Sequence, residues 1–301
     1  MRKIIKKYIN LLPENYANNI SNLIISLKNL FFINQRKQIF KSGDYFLSAP
    51  ISHVYFDTCK SQPLRDKFIG IVAKFFGEKY KDSSFIDIGA NIGDTAALMA
   101  SNASNKLILV DVDNYFFSFL EKNVKQFKNE IELKKYFISN GEVFKHRIIY
   151  EGGTAVVKEG NFNSKNKPKS KLIENISNDK ISFLKVDIDG YDLKAIQASI
   201  SWINKQKPAL IFEFDGLKSE IIEIDKLLIS LFSIEYKFFT IWDDAGYKLI
   251  STSNKNEILD LCRYVKKNYV GGNIKRIWDL NILCVSIYDE ELFHKINNSY
   301  K

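Results

Sequence analysis

Short unbroken apolar runs alternate with amphipathic stretches of helical period along this chain, and the alternation becomes regular from Ser84 onward. Ser84–Ile88, Lys106–Val110, Ile181–Val186 and Leu210–Phe214 read as strands. Their apolar residues come in continuous runs rather than at every second position, which predicts strands covered on both faces and so a mostly parallel sheet. Helical spacing of apolar residues predicts helices from Asp94 to Ala103, Tyr115 to Phe127, Tyr191 to Asn204 and Glu220 to Leu231. Glu132–Ile138 reads as a further strand, and residues 145–157 as two short β-like runs around Gly152-Gly153. A lysine- and asparagine-rich loop follows over residues 158–171. Phe238–Trp242 and Tyr247–Ile250 flank Asp243-Asp244-Ala245-Gly246, a hairpin turn, and Ile282–Ile287 is the last strand.

Before Ser84 the pattern differs. Ile5, Tyr8, Ile9 and Leu12 fall at helical spacing up to Pro13, and Ile20, Leu23, Ile24, Leu27 and Leu30 make a second amphipathic stretch. Residues 43–60 read as extended, and Pro63 opens a helix with Leu64, Phe68, Ile71, Val72, Phe75 and Phe76 on its apolar face. The predicted layout is an N-terminal basic helical arm and lead-in, residues 1–80, then one α/β domain, residues 81–301.

The most informative stretch is Phe85-Ile86-Asp87-Ile88-Gly89-Ala90-Asn91-Ile92-Gly93, a strand, a glycine-bearing turn and the start of a helix. Doubly wound α/β proteins bind nucleotides at such a turn. The dinucleotide fingerprint has three glycines, G-x-G-x-x-G. Here Asn91 takes a third special position, and Asp87 stands two residues before the first glycine. A carboxylate there repels a pyrophosphate but suits a cationic ligand. Four strands end in acids: Asp87, Asp111, Asp187 with Asp189, and Glu213 with Asp215. Asp111 lies close to the ~20-residue spacing at which an acid accepts ribose hydroxyls, so a nucleoside-containing ligand is expected.

Composition narrows this further. The three cysteines, Cys59, Cys262 and Cys284, are widely spaced, which speaks for a reducing compartment and against a disulfide framework or structural zinc. The sequence carries no apolar run of ~18 residues and reads as cytoplasmic. The net charge of +9 is uneven: residues 1–41 hold eight Lys or Arg against Glu14, a net +7. Two amphipathic segments with that charge fit peripheral association with an anionic membrane, or packing on the domain with the lysines in water. His53, His146 and His294 form no metal or triad pattern, and Trp202, Trp242 and Trp278 read as core or rim packing.

With these residues laid out, the chain resembles the FkbM family of S-adenosylmethionine-dependent methyltransferases. FIDIGANIGD (85–94) is similar to the family's glycine motif, and LILVDVDNYFFSFLEKN (107–123) to its second-strand motif, with Val112 where a proline is usual. FLKVDIDGYDLKAI (183–196) resembles its K-x-D-x-E-G-x-E signature, with Asp189 and Asp192 replacing both glutamates, and ALIFEFD (209–215) fits the next strand.

The resemblance implies a Rossmann-like class I methyltransferase: a mostly parallel seven-stranded sheet, its last strand antiparallel, with helices on both faces. It implies methyl transfer to oxygen, often a sugar hydroxyl in a surface glycan or its precursor. By matched position, Asp87, Gly89, Ala90, Asn91 and Gly93 would hold the methionine end of S-adenosylmethionine, and Asp111 its ribose. Val112, Ile138 and Ser139 would lie near adenine, while Asp187 and Asp189 would face the reacting methyl. Those two acids suit general-base help or, alternatively, a divalent cation. A non-sugar hydroxyl, or a non-catalytic membrane- or partner-binding protein with a vestigial methyltransferase domain, are the alternatives. A nucleic-acid acceptor is not expected, since DIDGYD stands where base-modifying enzymes carry an Asn/Asp-Pro-Pro-aromatic motif.

Overall fold

The computed structural model describes residues 37–51, 53, 55–142, 146–151, 154–159, 170–270 and 277–300. The two amphipathic stretches expected within residues 5–30, and most of the loop after Lys158, lie outside them. An antiparallel hairpin leads, β1 (Lys37–Ser42) and β2 (Tyr45–Pro50), followed by helices α1 (Tyr55–Ser61) and α2 (Lys67–Lys79). The α/β alternation then runs β3 (Ser84–Ile88), α3 (Asp94–Asn102), β4 (Lys106–Asp111), α4 (Asn114–Asn123) and β5 (Ile131–Lys135). Short strands β6 (Phe137–Ile138) to β9 (Ser170–Lys171) follow, with the hairpin β7 (His146–Glu151) and β8 (Thr154–Glu159) between them. The chain returns to the sheet with β10 (Ile181–Val186), α5 (Asp192–Ala198), α6 (Ile200–Gln206), β11 (Ala209–Asp215) and α7 (Ile221–Ser233). It finishes with β12 (Tyr236–Asp243), β13 (Lys248–Thr252), α8 (Lys255–Val270), β14 (Asp279–Ser286) and α9 (Glu290–Ser299).

The central sheet has the order β13-β12-β14-β11-β10-β3-β4-β5. From β5 to β11 neighbours are parallel, while β14 inserts antiparallel between β11 and β12. The sheet is therefore α/β and mostly parallel, with its last strand antiparallel, as expected. It has eight strands among the described residues rather than seven, because β13 adds an edge through the hairpin at Asp243–Tyr247.

Strand alternation divides the interior into two clusters. Phe85, Leu107, Leu109, Phe183 and Ile211 face one side, where they meet α2, α3, α4, α9 and the leading hairpin. Ile86, Ile108, Val110, Leu184, Val186 and Phe212 face the other side, packed on α5–α8. Residues 37–80 belong to the first cluster: Phe40, Leu47, Ala49 and Phe76 are all buried in it.

Three local expectations change. Residues 55–61 are helical rather than extended, because the ring Nδ1 of His53 accepts the Tyr55 N–H and Tyr55 packs on Phe40. The single helix expected over 191–204 divides at Ser199, whose Oγ accepts the Ile173 N–H. The strand expected over 132–138 stops at Lys135, and Phe137–Ile138 leave the sheet to pair with Ser170–Lys171. Among the described residues no helix is long and apolar enough to cross a membrane.

Candidate functional site

A cavity of about 350 Å³ opens at the carboxyl ends of β3, β4, β10 and β11, the place where open α/β sheets bind ligands. Gly89 and Ala90 donate their N–H groups to the Val110 carbonyl, which ties the glycine turn to β4. Gly89 has φ +81°, and a Cβ on it would lie 1.7 Å from the carbonyl oxygen of Asp187. The glycine is needed because two backbone segments nearly touch there. Asn91 also adopts positive φ, 48°, and its N–H donates to Asp111 Oδ2 at 2.8 Å. Asp111 Oδ1 accepts from Asp113 N. Each carboxylate oxygen thus accepts at least one backbone N–H.

The residues expected at the site separate into two groups. Gly89, Asn91, Asp111, Val112, Ile138, Asp187 and Asp189 all line this one cavity. Asp87, Ala90, Gly93 and Ser139 do not. Gly93 turns against Leu120 at the start of α3, and Ser139 is buried with its N–H on the Lys171 carbonyl.

Asp87, expected to hold the methionine end, does not line the cavity. Parallel register sets Asp87 opposite Lys185, on the same sheet face. Its carboxylate is fully buried, takes Lys185 Nζ at 3.1 Å and accepts from Thr95 Oγ1 at 2.6 Å. It is a buried counterion beneath the turn. Burial opposes the charge of Lys185, but Asp187 and Asp87 outweigh it and hold the ammonium above the ordinary lysine range.

The two acids expected to face the methyl group are both ion-paired. Asp187 Oδ2 lies 3.2 Å from Lys185 Nζ and is half-exposed. Asp189 has positive φ, 55°, beside Gly190, which gives the turn that brings both acids to one wall. Lys218 Nζ holds Asp189 Oδ1 at 2.8 Å. Asp192 turns inward instead and accepts the N–H groups of Ile188, Gly190 and Glu213.

Several lining residues were not legible as site residues in the sequence. His53 comes from the lead-in and contacts Asn91 Oδ1 through Nε2 at 3.2 Å. Because its Nδ1 accepts from Tyr55, Nε2 carries the hydrogen and donates. Burial drives its pKa down to about 4, so the ring is neutral. Tyr55, Arg65, Asp66 and Asp94 also line the cavity, as do Asp279 and Asn281 from β14. Only the strand-end position of Glu213 and Asp215 signalled their part. Phe116, Tyr136 and Ile138 with Val112 make the apolar end, next to Asp111. Among the described residues no group of three or more His, Cys, Asp or Glu is arranged to hold a metal ion, so the divalent cation considered above finds no such group.

The wall is crowded with carboxyls. Burial pushes Asp94 and Asp279 up to about 7 and Asp192 up to about 8. Burial likewise raises Asp111 to about 6, and Glu213 well above the carboxylate range. The folded protein therefore keeps protons that these groups release near pH ~4 when unfolded, and stability falls as pH rises through the folded values. His53 acts oppositely, but only between about 4 and 6.5. The melting temperature of the ligand-free protein is expected to fall steadily between about pH 6.5 and 8. A flat or rising curve over that interval would show that the acids are already ionised in the fold.

A family model described as the methyltransferase FkbM domain matches residues 87–249, more than half of the chain. No curated protein matches the sequence. The methyltransferase FkbM from Methylobacillus flagellatus KT is similar at 14% identity and TM-score 0.42, over 67% of this chain and 43% of that one. The chain thus spans less than half the length of that relative. The plantazolicin methyltransferase BamL, solved with a triazolic desmethylPZN analog and SAH, is similar at 14% identity and TM-score 0.42, covering 77% and 89% of the two chains. M. jannaschii TYW2 in complex with AdoMet is similar at 10% identity and TM-score 0.40, over 84% and 88%.

Proposed function

Since the chain belongs to the FkbM methyltransferase family, we propose that it transfers the methyl group of S-adenosylmethionine to a hydroxyl oxygen of a sugar, in a surface glycan or its precursor. One observation carries the cofactor reading. A single cavity joins the Gly89–Asn91 turn, a strand-end acid and a wall of carboxyls suited to a cation. S-adenosylmethionine brings two cationic groups and a ribose, and supplies an activated methyl group. Asp111 accepts the ribose hydroxyls, and Val112, Phe116, Tyr136 and Ile138 enclose the base. Gly89 and Asn91 face the methionine end, with Asn91 held by the His53 donor.

Asp187 and Asp189 orient the acceptor hydroxyl. Their lysine partners fix both in place, so the reacting atoms are held in line rather than searched for, which is where much of the acceleration of a bimolecular transfer arises. The catalytic domain in this reading is residues 81–301, and residues 1–80 are a lead-in whose described part already supplies His53, Tyr55 and Arg65 to the cavity.

Calorimetry with S-adenosylmethionine, S-adenosylhomocysteine and NADH tests the cofactor. The two sulfur ligands are expected to bind and NADH is not. Asp111→Ala should weaken the sulfur ligands by one to two decades, because charged hydrogen bonds contribute ~1.5–3 kcal/mol. Wild-type affinity in that variant would remove Asp111 from the ribose site. Asp187→Asn and Asp189→Asn should keep the affinity and lose transfer. Mass spectrometry of surface glycans from cells with and without the protein identifies the acceptor, and unchanged glycans would direct the search to non-sugar hydroxyls.

The +7 of residues 1–41 is proposed to hold the enzyme at an anionic membrane surface, where each basic residue contributes ~1 kcal/mol. Co-sedimentation with phosphatidylserine-containing vesicles should fall steeply with salt. If the protein ignores such vesicles at low salt, the membrane reading fails.

A further inference from the structure

Glu213 and Asp279 stand apart from the other acids of the cavity. They come from adjacent antiparallel strands, where Glu213 pairs with Asn281 and Asp215 with Asp279. Alternation then puts all four on one sheet face, and all four line the cavity. Glu213 and Asp279 lie diagonally across the ladder, and the nearby Asp279 carboxyl raises Glu213. Two carboxylates so placed repel, which favours a state in which only one of them is charged. Neither group has the lysine partner that Asp187 and Asp189 have. Asp279 Oδ1 is buried and has no hydrogen-bond partner. That buried acceptor without a donor belongs to a residue that lines the cavity, so the carboxyl is not fully satisfied by the protein.

The neighbours explain why the pair stays singly charged. Arg65 faces it from the segment before α2 and favours its negative charge, while Asp187, Asp192, Asp215 and Asp244 face it from β10, α5, β11 and the β12–β13 turn and oppose a second. Burial raises both groups, Asp279 to about 7, which places the pair near the pH at which a general base works best.

Resting on the methyltransferase reading above, we propose that the Glu213–Asp279 pair takes up the proton of the acceptor hydroxyl during methyl transfer. A lone pair of the hydroxyl oxygen forms the new C–O bond. The C–S bond breaks with its electrons going to sulfur, which becomes a neutral thioether. The O–H electrons stay on oxygen, and the proton passes to the ionised member of the pair. Asp187 and Asp189 position the hydroxyl, and the carboxyl pair receives its proton.

A cationic ligand in the cavity favours the singly charged over the neutral form of the pair, so proton exchange on binding reports on it. Calorimetric titration of the full chain at pH 7, in two buffers of different ionisation heat, measures protons released. Wild type is expected to release a larger fraction of a proton with S-adenosylmethionine than Glu213→Gln or Asp279→Asn does. S-adenosylhomocysteine, lacking the sulfonium, should show a smaller difference. Asp94 and Asp111 contribute equally in all three proteins and cancel. Methyl transfer from labelled S-adenosylmethionine to the glycan fraction of cells lacking the protein should fall by about 10²–10⁴-fold in either variant. The affinity for S-adenosylmethionine should stay within about tenfold, which also shows that both variants fold. Equal proton release in wild type and variants, or undiminished transfer, overturns the proposal. Absence of S-adenosylmethionine binding in wild type would instead overturn the methyltransferase reading on which it rests.

Discussion

Lys185→Met is expected to destabilise the protein by roughly 3–5 kcal/mol, the range for removing one partner of a buried ion pair. Asp87 is fully buried, and without the ammonium its charge retains only the Thr95 hydroxyl. Methionine preserves the length of the side chain, so the loss reports the charge rather than a cavity. Asp87→Asn should cost less, because Lys185 keeps Asp187 at 3.2 Å. The double variant should be more stable than the sum of the two, since it leaves neither charge unmatched. Denaturant unfolding of the four proteins gives the cycle. A Lys185→Met loss below about 1 kcal/mol would mean that Asp87 simply takes a proton in the fold, and the counterion role would be wrong. The same substitution should loosen Asp187, so ligand affinity should fall together with stability.

Gly89→Ala should damage the site more than any side-chain truncation within it. The new Cβ would lie 1.7 Å from a backbone oxygen, Asp187 O, so the end of β10 or the turn itself must move. The left-handed backbone adds about 1–2 kcal/mol of strain for an L residue. Because the displaced segment carries Asp187 and leads into Asp189, binding of S-adenosylhomocysteine is expected to drop at least about 100-fold, or ~2.7 kcal/mol. Gly93→Ala is the control. It has a similar φ, +89°, but its Cβ would meet only the tip of Leu120 at 3.0 Å. It should cost the backbone strain and little binding. Equal effects at both glycines would show that backbone conformation, not the approach to Asp187, is what Gly89 provides.

Much of this molecule is decided locally. Mainly apolar runs at 84–88, 106–110, 181–186 and 210–214 show no alternation, so they become interior strands. The glycines and the acids at the strand ends place a turn and a cavity at the carboxyl ends of the strands. That is why the parallel α/β sheet, the glycine turn and the positions of Asp111, Asp187 and Asp189 could be read from the sequence. Period-based reading failed where a single tertiary contact outweighed it. His53 bonding the Tyr55 N–H made α1 from a stretch that looked extended, and Ser199 turned aside to Ile173 and divided a helix in two.

The site's electrostatics belong to the tertiary structure. Periodicity states which face of a strand a residue occupies, but not which strand lies beside it or in what register. Asp87 looks the same in sequence whether it meets a ligand or a lysine, and only the parallel register of β3 with β10 sets it on Lys185. Asp279 and Glu213 are far apart in the chain and become partners because β14 inserts antiparallel beside β11. His53 and Arg65 enter because the lead-in packs against the same sheet face. Charge and protonation follow from neighbours within a few ångströms and from burial, quantities that exist only once the strands have been ordered.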